Sequence, residues 1–349
     1  MRTCCSARML RVVILAGLLL SPLGSAAEEP PALDPAIYGH VVHVGWVVRD
    51  LEPVLDHWQT LGLRGIQRIG EVELADVTYR GESAPTRLEM ARVEVGDVSL
   101  SWIQPLGGTN IYTAFLDSHG DGIHHLAYAV PSAARLQQEI EYFASRDVGV
   151  VQSGGWQGQA GQGAFAYLDT AQRGGGLTIE LVHDPDAALV PAPASAAHEA
   201  PFERIVQYGF VVDDLDAVSA FYQSLGLPAL GKEHNIFGDR EYRGEPSDYE
   251  MYVGWDRRGD VPLEWIQSKV GPNTYEDHLN EYGEGFHHLA FDVADMDAAI
   301  AAFEAKGFSI SMGGSWDFPG TRGRYMYVDT ERVGGVAIEL LWNEPRQAP

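Results

Sequence analysis

Cysteine is almost absent. The 349-residue chain has two, Cys4 and Cys5, both at its extreme start. Everything after them lacks a thiol, which excludes disulfide scaffolds and thiol catalysis. Positive charge is scarce as well: 24 Lys and Arg stand against 49 Asp and Glu, a net charge of −25. Such a surface repels nucleic acid and anionic membrane alike. Long apolar runs are missing too. The longest, "VVILAGLLL", follows Arg2, Arg8 and Arg11 and is too short to span a bilayer comfortably. Together with the small residues of "SPLGSAA" it has the pattern of a secretory signal peptide over residues 1–27. Neither cysteine follows the apolar run, which argues against lipidation. Removing this segment takes away three arginines and no acid, so the mature chain is more acidic still. The expectation is a periplasmic or secreted protein with no membrane attachment after cleavage. Mass spectrometry of the exported protein should find an amino terminus close to Glu28, and an intact Met1 in the mature pool refutes export.

What remains is apolar and glycine-rich: 45% hydrophobic residues and 39 glycines suit a globular chain of strands and turns, long enough for two domains. It is also written twice. "YRGE" occurs at Tyr79–Glu82 and Tyr242–Glu245, and "WIQ" begins at Trp102 and Trp265. "GDGIHHLAYAV" and "GEGFHHLAFDV" carry His125 and His288, and each of these pairs is 163 residues apart. The halves run over 38–184 and 203–344. The stretch 185–202 between them is Pro/Ala-rich, without periodicity, and reads as a linker.

Each half contains a finer repeat. "HVGWVV", "HLAYAV", "QYGFVV" and "HLAFDV" begin at His43, His125, Gln207 and His288, spaced by 82, 82 and 81 residues. Each alternates like a strand, is followed by a polar cap and a helical stretch, and then by three extended segments. The predicted unit is strand–helix–strand–strand–strand, four times over, an α+β fold.

Side chains two apart in a strand share a face. Two residues beyond His43, His125, Gln207 and His288 stand Gly45, Ala127, Gly209 and Ala290, all small. The polar residue therefore points into an uncrowded space, while His124 and His287 belong to the other face as structural or outer-shell groups. The last strand of each half adds a carboxylate, Glu180 in "GGLTIELVH" and Glu339 in "GGVAIELLW". "PLEWIQ" supplies Glu264, where the first half has Ser101. A Glu between Ile and Leu is costly to bury unless paired or bound to metal. Any one of these groups is explained by a salt bridge or a core histidine. Seven of them at equivalent places of four repeats point to metal: His43, His125 and Glu180, then Gln207, Glu264, His288 and Glu339. An N/O set without sulfur suits Zn, Ni, Co, Mn or Fe(II), and two His with one carboxylate match the facial triad of non-haem Fe(II) oxygenases.

These motifs resemble the vicinal oxygen chelate superfamily, which includes glyoxalase I, methylmalonyl-CoA epimerase and extradiol dioxygenases. "G(D/E)GxHHLA" and "GGxxIEL" are most similar to its glyoxalase and epimerase branch. The resemblance implies paired βαβββ modules curling into a half-open barrel around a divalent metal, with ligands from the first and last strands of both modules. The Gln207, Glu264, His288 and Glu339 combination resembles the zinc set of eukaryotic-type glyoxalase I, and Ser101 departs from the pattern. The chemistry implied is an isomerase or lyase that works through an enediolate or enolate, with Glu264, Glu339 and Glu180 as candidate proton carriers. The alternatives are an extradiol-type Fe(II) dioxygenase and a non-catalytic binder of small molecules. Tyr242, Arg243 and Arg324 are candidate contacts for an anionic substrate, with hairpin salt bridging as their other explanation. Both modules of each site lie in one chain, so a monomer acting on a small molecule is the expectation.

Overall fold

The computed structural model describes residues 32–187, 197–318 and 320–345, so the expected signal peptide, 1–27, and the middle of the expected linker lie outside the described residues. The first half runs β1 (Val41–Val47), α1 (Leu51–Leu61), β2 (Gln67–Tyr79), β3 (Glu82–Ser83), β4 (Thr86–Val95), β5 (Val98–Pro105), α2 (Ile111–Ser118), β6 (Gly122–Ala129), α3 (Ala133–Ala144), β7 (Val150–Gln157), β8 (Gln162–Leu168) and β9 (Thr178–His183). The second runs β10 (Ile205–Val211), α4 (Leu215–Ser224), β11 (Glu233–Asn235), β12 (Gly238–Tyr242), β13 (Glu245–Pro246), β14 (Glu250–Asp256), β15 (Leu263–Val270), α5 (Thr274–Glu281), β16 (Gly285–Asp292), α6 (Met296–Ala305), β17 (Ile310–Phe318), β18 (Thr321–Val328) and β19 (Ala337–Pro345).

The polar residue after each ligand strand is a helix cap. Asp50, Ser132, Asp214 and Asp295 each accept a backbone N–H of the first turn with the side chain. Two further helices, α2 and α5, join the modules within each half and were not expected from the repeat. Each is only eight residues long, too short for a clear apolar period, but Asn110 and Asn273 cap them in the same way.

In both halves the first strands of the two modules lie side by side. β1 pairs antiparallel with β6, and β10 with β16. β5 and β9 flank the first pair in parallel, as β15 and β19 flank the second. The halves differ at the far edge. The long strand β2 pairs with β4 through Gln67–Leu74 and with β7 through Ala75–Tyr79, so it closes the first sheet on itself. Its counterpart is broken into β11, which pairs with β14, and β12, which pairs with β17. The first barrel is closed, and only the second is half open.

The two halves share one core. Their tryptophans cross over: Trp46 donates to the Gly334 carbonyl at 2.5 Å and Trp265 to the Gly174 carbonyl at 3.3 Å. Tyr142 likewise donates to Leu225 O at 2.8 Å, and Trp58 packs edge-on against Phe202. A continuous apolar cluster runs through residues of both halves, while smaller clusters fill each barrel behind α2 and α5. No helix among the described residues is long and apolar enough to cross a membrane.

Candidate metal centres

Register explains why the residues two after each polar group are small. Gly45 lies opposite His125 and beside Ser101, and Ala127 lies opposite His43 and beside Glu180. Gly209 and Ala290 stand in the same relation to His288, Glu264, Gln207 and Glu339. Each ligand side chain leans over the missing side chain of its neighbour.

The seven predicted groups converge in two sets. In the first half, His43 Nε2 and His125 Nε2 are 2.9 Å apart, and both face Glu180 Oε2 at 3.2 and 3.3 Å. That carboxylate oxygen is buried and has no hydrogen-bond partner, which is costly unless a cation takes it. Ser101 is buried at the fourth corner. In the second half, Gln207 Nε2 lies 2.6 Å from Glu264 Oε2, 3.2 Å from Glu339 Oε2 and 3.2 Å from His288 Nε2. His288 Nε2 faces Glu339 at 3.3 Å and Glu264 at 3.6 Å. Which amide atom of Gln207 faces the centre is an assignment, and turning it over presents oxygen there. Both sets fit a divalent metal with N/O ligands.

The neighbouring histidines orient the ligands. His124 Nδ1 lies 2.9 Å from His125 Nδ1, and His287 Nδ1 lies 2.9 Å from His288 Nδ1. With Nε2 of the ligand committed to a metal, its Nδ1–H donates to this partner, which fixes tautomer and ring plane. Tyr167 and Tyr327 pack edge-on against His125 and His288, and lie opposite Glu180 and Glu339 in the register. Sequence reasoning passed over both, although "AYLD" and "MYVD" repeat like the other motifs.

Electrostatically the sets differ. Burial pushes His43 down to about 4 and His125 to about 3, so both imidazoles are neutral and ready to ligate. Burial also acts downward on His288, but Glu339 and Glu264 outweigh it and hold this imidazole up at about 9. Glu264 is itself raised, chiefly by burial. The proton of the metal-free second set therefore sits on His288 between two carboxylates. Metal must displace it, while the first set has no imidazole proton to lose. Near pH 7.5, calorimetry in buffers of different ionisation enthalpy should find about one proton released at the second set and none at the first. Affinity at the second set should rise about tenfold per pH unit up to about 9. A second set whose affinity is flat from pH 7 to 8 refutes the assignment.

A cavity of about 480 Å³ opens directly on Gln207, Glu264 and Glu339. Phe237, at the break between β11 and β12, lines it with Trp255, Trp316 and Tyr325. Among the described residues its one cation is Arg257, stacked 3.9 Å over the Trp255 ring. The three substrate contacts expected from sequence lie elsewhere. Tyr242 and Arg243 both bond Asp277 Oδ2, at 2.6 and 2.8 Å, and Arg324 bonds Asp297 at 2.6 Å. None of the three side chains lines this cavity, and their acid partners stand on α5 and α6 rather than within a hairpin.

A family model described as Glyoxalase/Bleomycin resistance protein/Dioxygenase superfamily matches residues 42–167 and again 206–327. The chain belongs to this superfamily, in two tandem copies. No curated protein matches the sequence. Among solved structures, the superfamily member resembles a mutant of 4-hydroxymandelate synthase from Streptomyces coelicolor, with 15% identity, TM-score 0.56, and 89% of this chain and 94% of that one covered. It resembles a xylose isomerase-like TIM barrel/4-hydroxyphenylpyruvate dioxygenase fusion protein at 17% identity and TM-score 0.52, over 96% of this chain and 52% of that one. A Mn(II)-bound glyoxalase from Novosphingobium aromaticivorans is matched at 14% identity and TM-score 0.46, over 87% and 82%. At these identities the likeness is one of fold.

Proposed function

We propose that this superfamily member is an exported, divalent-metal-dependent isomerase or lyase of the glyoxalase and epimerase kind, with its chemistry in the second half. The observation that supports this reading is the cavity of about 480 Å³ opening on three of the four ligand groups there. A metal held by Gln207, Glu264, His288 and Glu339 supplies Lewis-acid polarisation of a substrate oxygen. The chain's own groups do the rest. Glu264 and Glu339 come from different modules, so the carboxylate facing the reacting carbon takes its proton and the other is placed to return one. Arg257 receives an anionic end of the substrate, in the role that sequence offered to Tyr242, Arg243 and Arg324. The aromatic walls exclude water, which strengthens each of these electrostatic contacts.

A second reading has its own observation. His43, His125 and Glu180 form a two-histidine, one-carboxylate set within 3.3 Å, the donor pattern of non-haem Fe(II) oxygenases. Two structural neighbours are named for hydroxymandelate synthase and hydroxyphenylpyruvate dioxygenase. Metal analysis of the purified protein with aerobic and anaerobic assays separates the two. Bound metal with oxygen-independent turnover supports the isomerase or lyase, oxygen consumption supports the oxygenase, and a metal-free protein overturns both.

A further inference from the structure

The space behind the metal ligands carries ion pairs in the second half and a cavity in the first. In the second half, Asp277 on α5 takes both Tyr242 and Arg243, and His278 Nδ1 pairs with Glu331 Oε1 at 3.1 Å. The repeat puts Ala114 in the place of Asp277 and Phe115 in that of His278. Glu331 follows Asp329-Thr330 as Ala171 follows Asp169-Thr170. The cation, however, is kept: Arg80 matches Arg243, with a left-handed φ of 51° at both. With alanines in the places of Asp277 and Glu331 and the arginine kept, the first half has a cavity of about 620 Å³ lined by Ala114, Ala171 and Arg80, whose guanidinium has no ion pair among the described residues. The guanidinium lies 5.3 Å from the centre of the Tyr79 ring.

This cavity is not the superfamily's metal pocket. It lies at the start of β9, around Gly176 and Thr178, whereas the second half's metal pocket lies towards the end of β19, around Leu341 and Asn343. Tyr282, Glu284 and Phe286 of the second half form its far wall, so it sits in the seam between the halves, a usual place for a small-molecule site. Its volume falls in the range of such sites. His124 lines it and bonds the ligand His125, which puts the cavity one hydrogen bond from the first metal set.

The lining charges choose the ligand. Among the described residues that line it, Arg80 is the only arginine or lysine, and Asp169 and Glu284 are the carboxylates. Glu284 accepts the Asp213 N–H at 2.8 Å with one of its two carboxylate oxygens. A plain anion meets more negative than positive charge, and a plain cation leaves Arg80 unmatched. Ile111, Phe115, Leu168 and Phe286 offer an apolar bed between the two signs. We propose that the seam cavity binds an amino-acid-like zwitterion with an aromatic or apolar side chain, its carboxylate on Arg80 and its ammonium towards Asp169 and Glu284.

The test is calorimetric titration of the purified full chain with L-phenylalanine, phenylacetate and phenethylamine. L-Phenylalanine should bind at one site with a dissociation constant below about 1 mM, at least about tenfold tighter than either comparator. Arg80→Gln removes the cation, and Ala114→Asp installs the second half's partner for it. Each should weaken L-phenylalanine about tenfold or more, the scale of one charge-assisted hydrogen bond, with the melting temperature little changed. His288→Ala, which disables the second metal set, should leave binding as it is. That arm separates this site from the proposed catalytic one. Absence of L-phenylalanine binding, a comparator that binds equally well, a well-folded Arg80→Gln variant that binds like the wild type, or loss in His288→Ala overturns the proposal.

Discussion

Glu339→Gln should lower turnover by about 100-fold or more, the usual scale for losing a general base. The side chain reaches the second metal set from near the start of β19, where its Oε2 lies 3.2 Å from Gln207 Nε2 and 3.3 Å from His288 Nε2. Glutamine keeps the volume and retains an oxygen that can still face a metal, but it cannot carry the proton. Folding should be little affected, because the exchange is nearly isosteric and removes one of two carboxylates crowded around a single imidazole. Glu180→Gln in the first half should cost far less, since Ser101 leaves that set with only one carboxylate. The comparison is made at matched metal content, with steady-state rates on the same substrate. An inactive Glu180 variant beside an active Glu339 variant would reverse the assignment and favour the oxygenase reading of the first half.

The ligand sets were legible because two independent regularities coincide in the sequence. Strand parity put His43, His125, Gln207 and His288 on one face with a small residue two places on, and the repeat put Glu180, Glu264 and Glu339 at matching positions. Register in the sheets then closes the argument, since Gly45, Ala127, Gly209 and Ala290 are the cross-strand neighbours of the ligands. What escaped the reading depends on long-range packing. The break that opens the second barrel falls between Asn235 and Gly238, where nothing periodic marks it. Arg257 lies in a loop, and only the stacking on Trp255 brings it to the cavity. The shared core of the two halves was equally hidden. Trp46 and Trp265 look like ordinary strand aromatics, and only the folded chain shows that each donates to a glycine carbonyl of the other half.

Gly209→Ala should abolish metal binding at the second set without touching a ligand. A Cβ built on Gly209 lies 1.8 Å from His288 Cε1 and 2.1 Å from its Nε2, closer than any packed methyl group can stand. The backbone itself raises no objection, because Gly209 sits in an ordinary strand conformation between His288 and Glu264. The clash is therefore with the imidazole alone. His288 has nowhere to go: it is fully buried, with Tyr327 edge-on against it and His287 on its Nδ1. Moving the ring far enough to admit the methyl takes Nε2 out of reach of Gln207, Glu264 and Glu339 together. Affinity for metal there should fall by 100-fold or more, with an overpacking cost of about 1–3 kcal/mol in stability. Gly45→Ala should do the same to the first set, where the new Cβ would stand 1.9 Å from His125 Cε1 and Nε2. Metal content per chain then reads out the halves separately, each glycine variant losing its own site and keeping the other. Activity lost with Gly209→Ala and kept with Gly45→Ala places the chemistry in the second half by a route independent of any carboxylate. If both glycine variants retain the full metal content of the wild type, the imidazoles do not ligate where the geometry puts them.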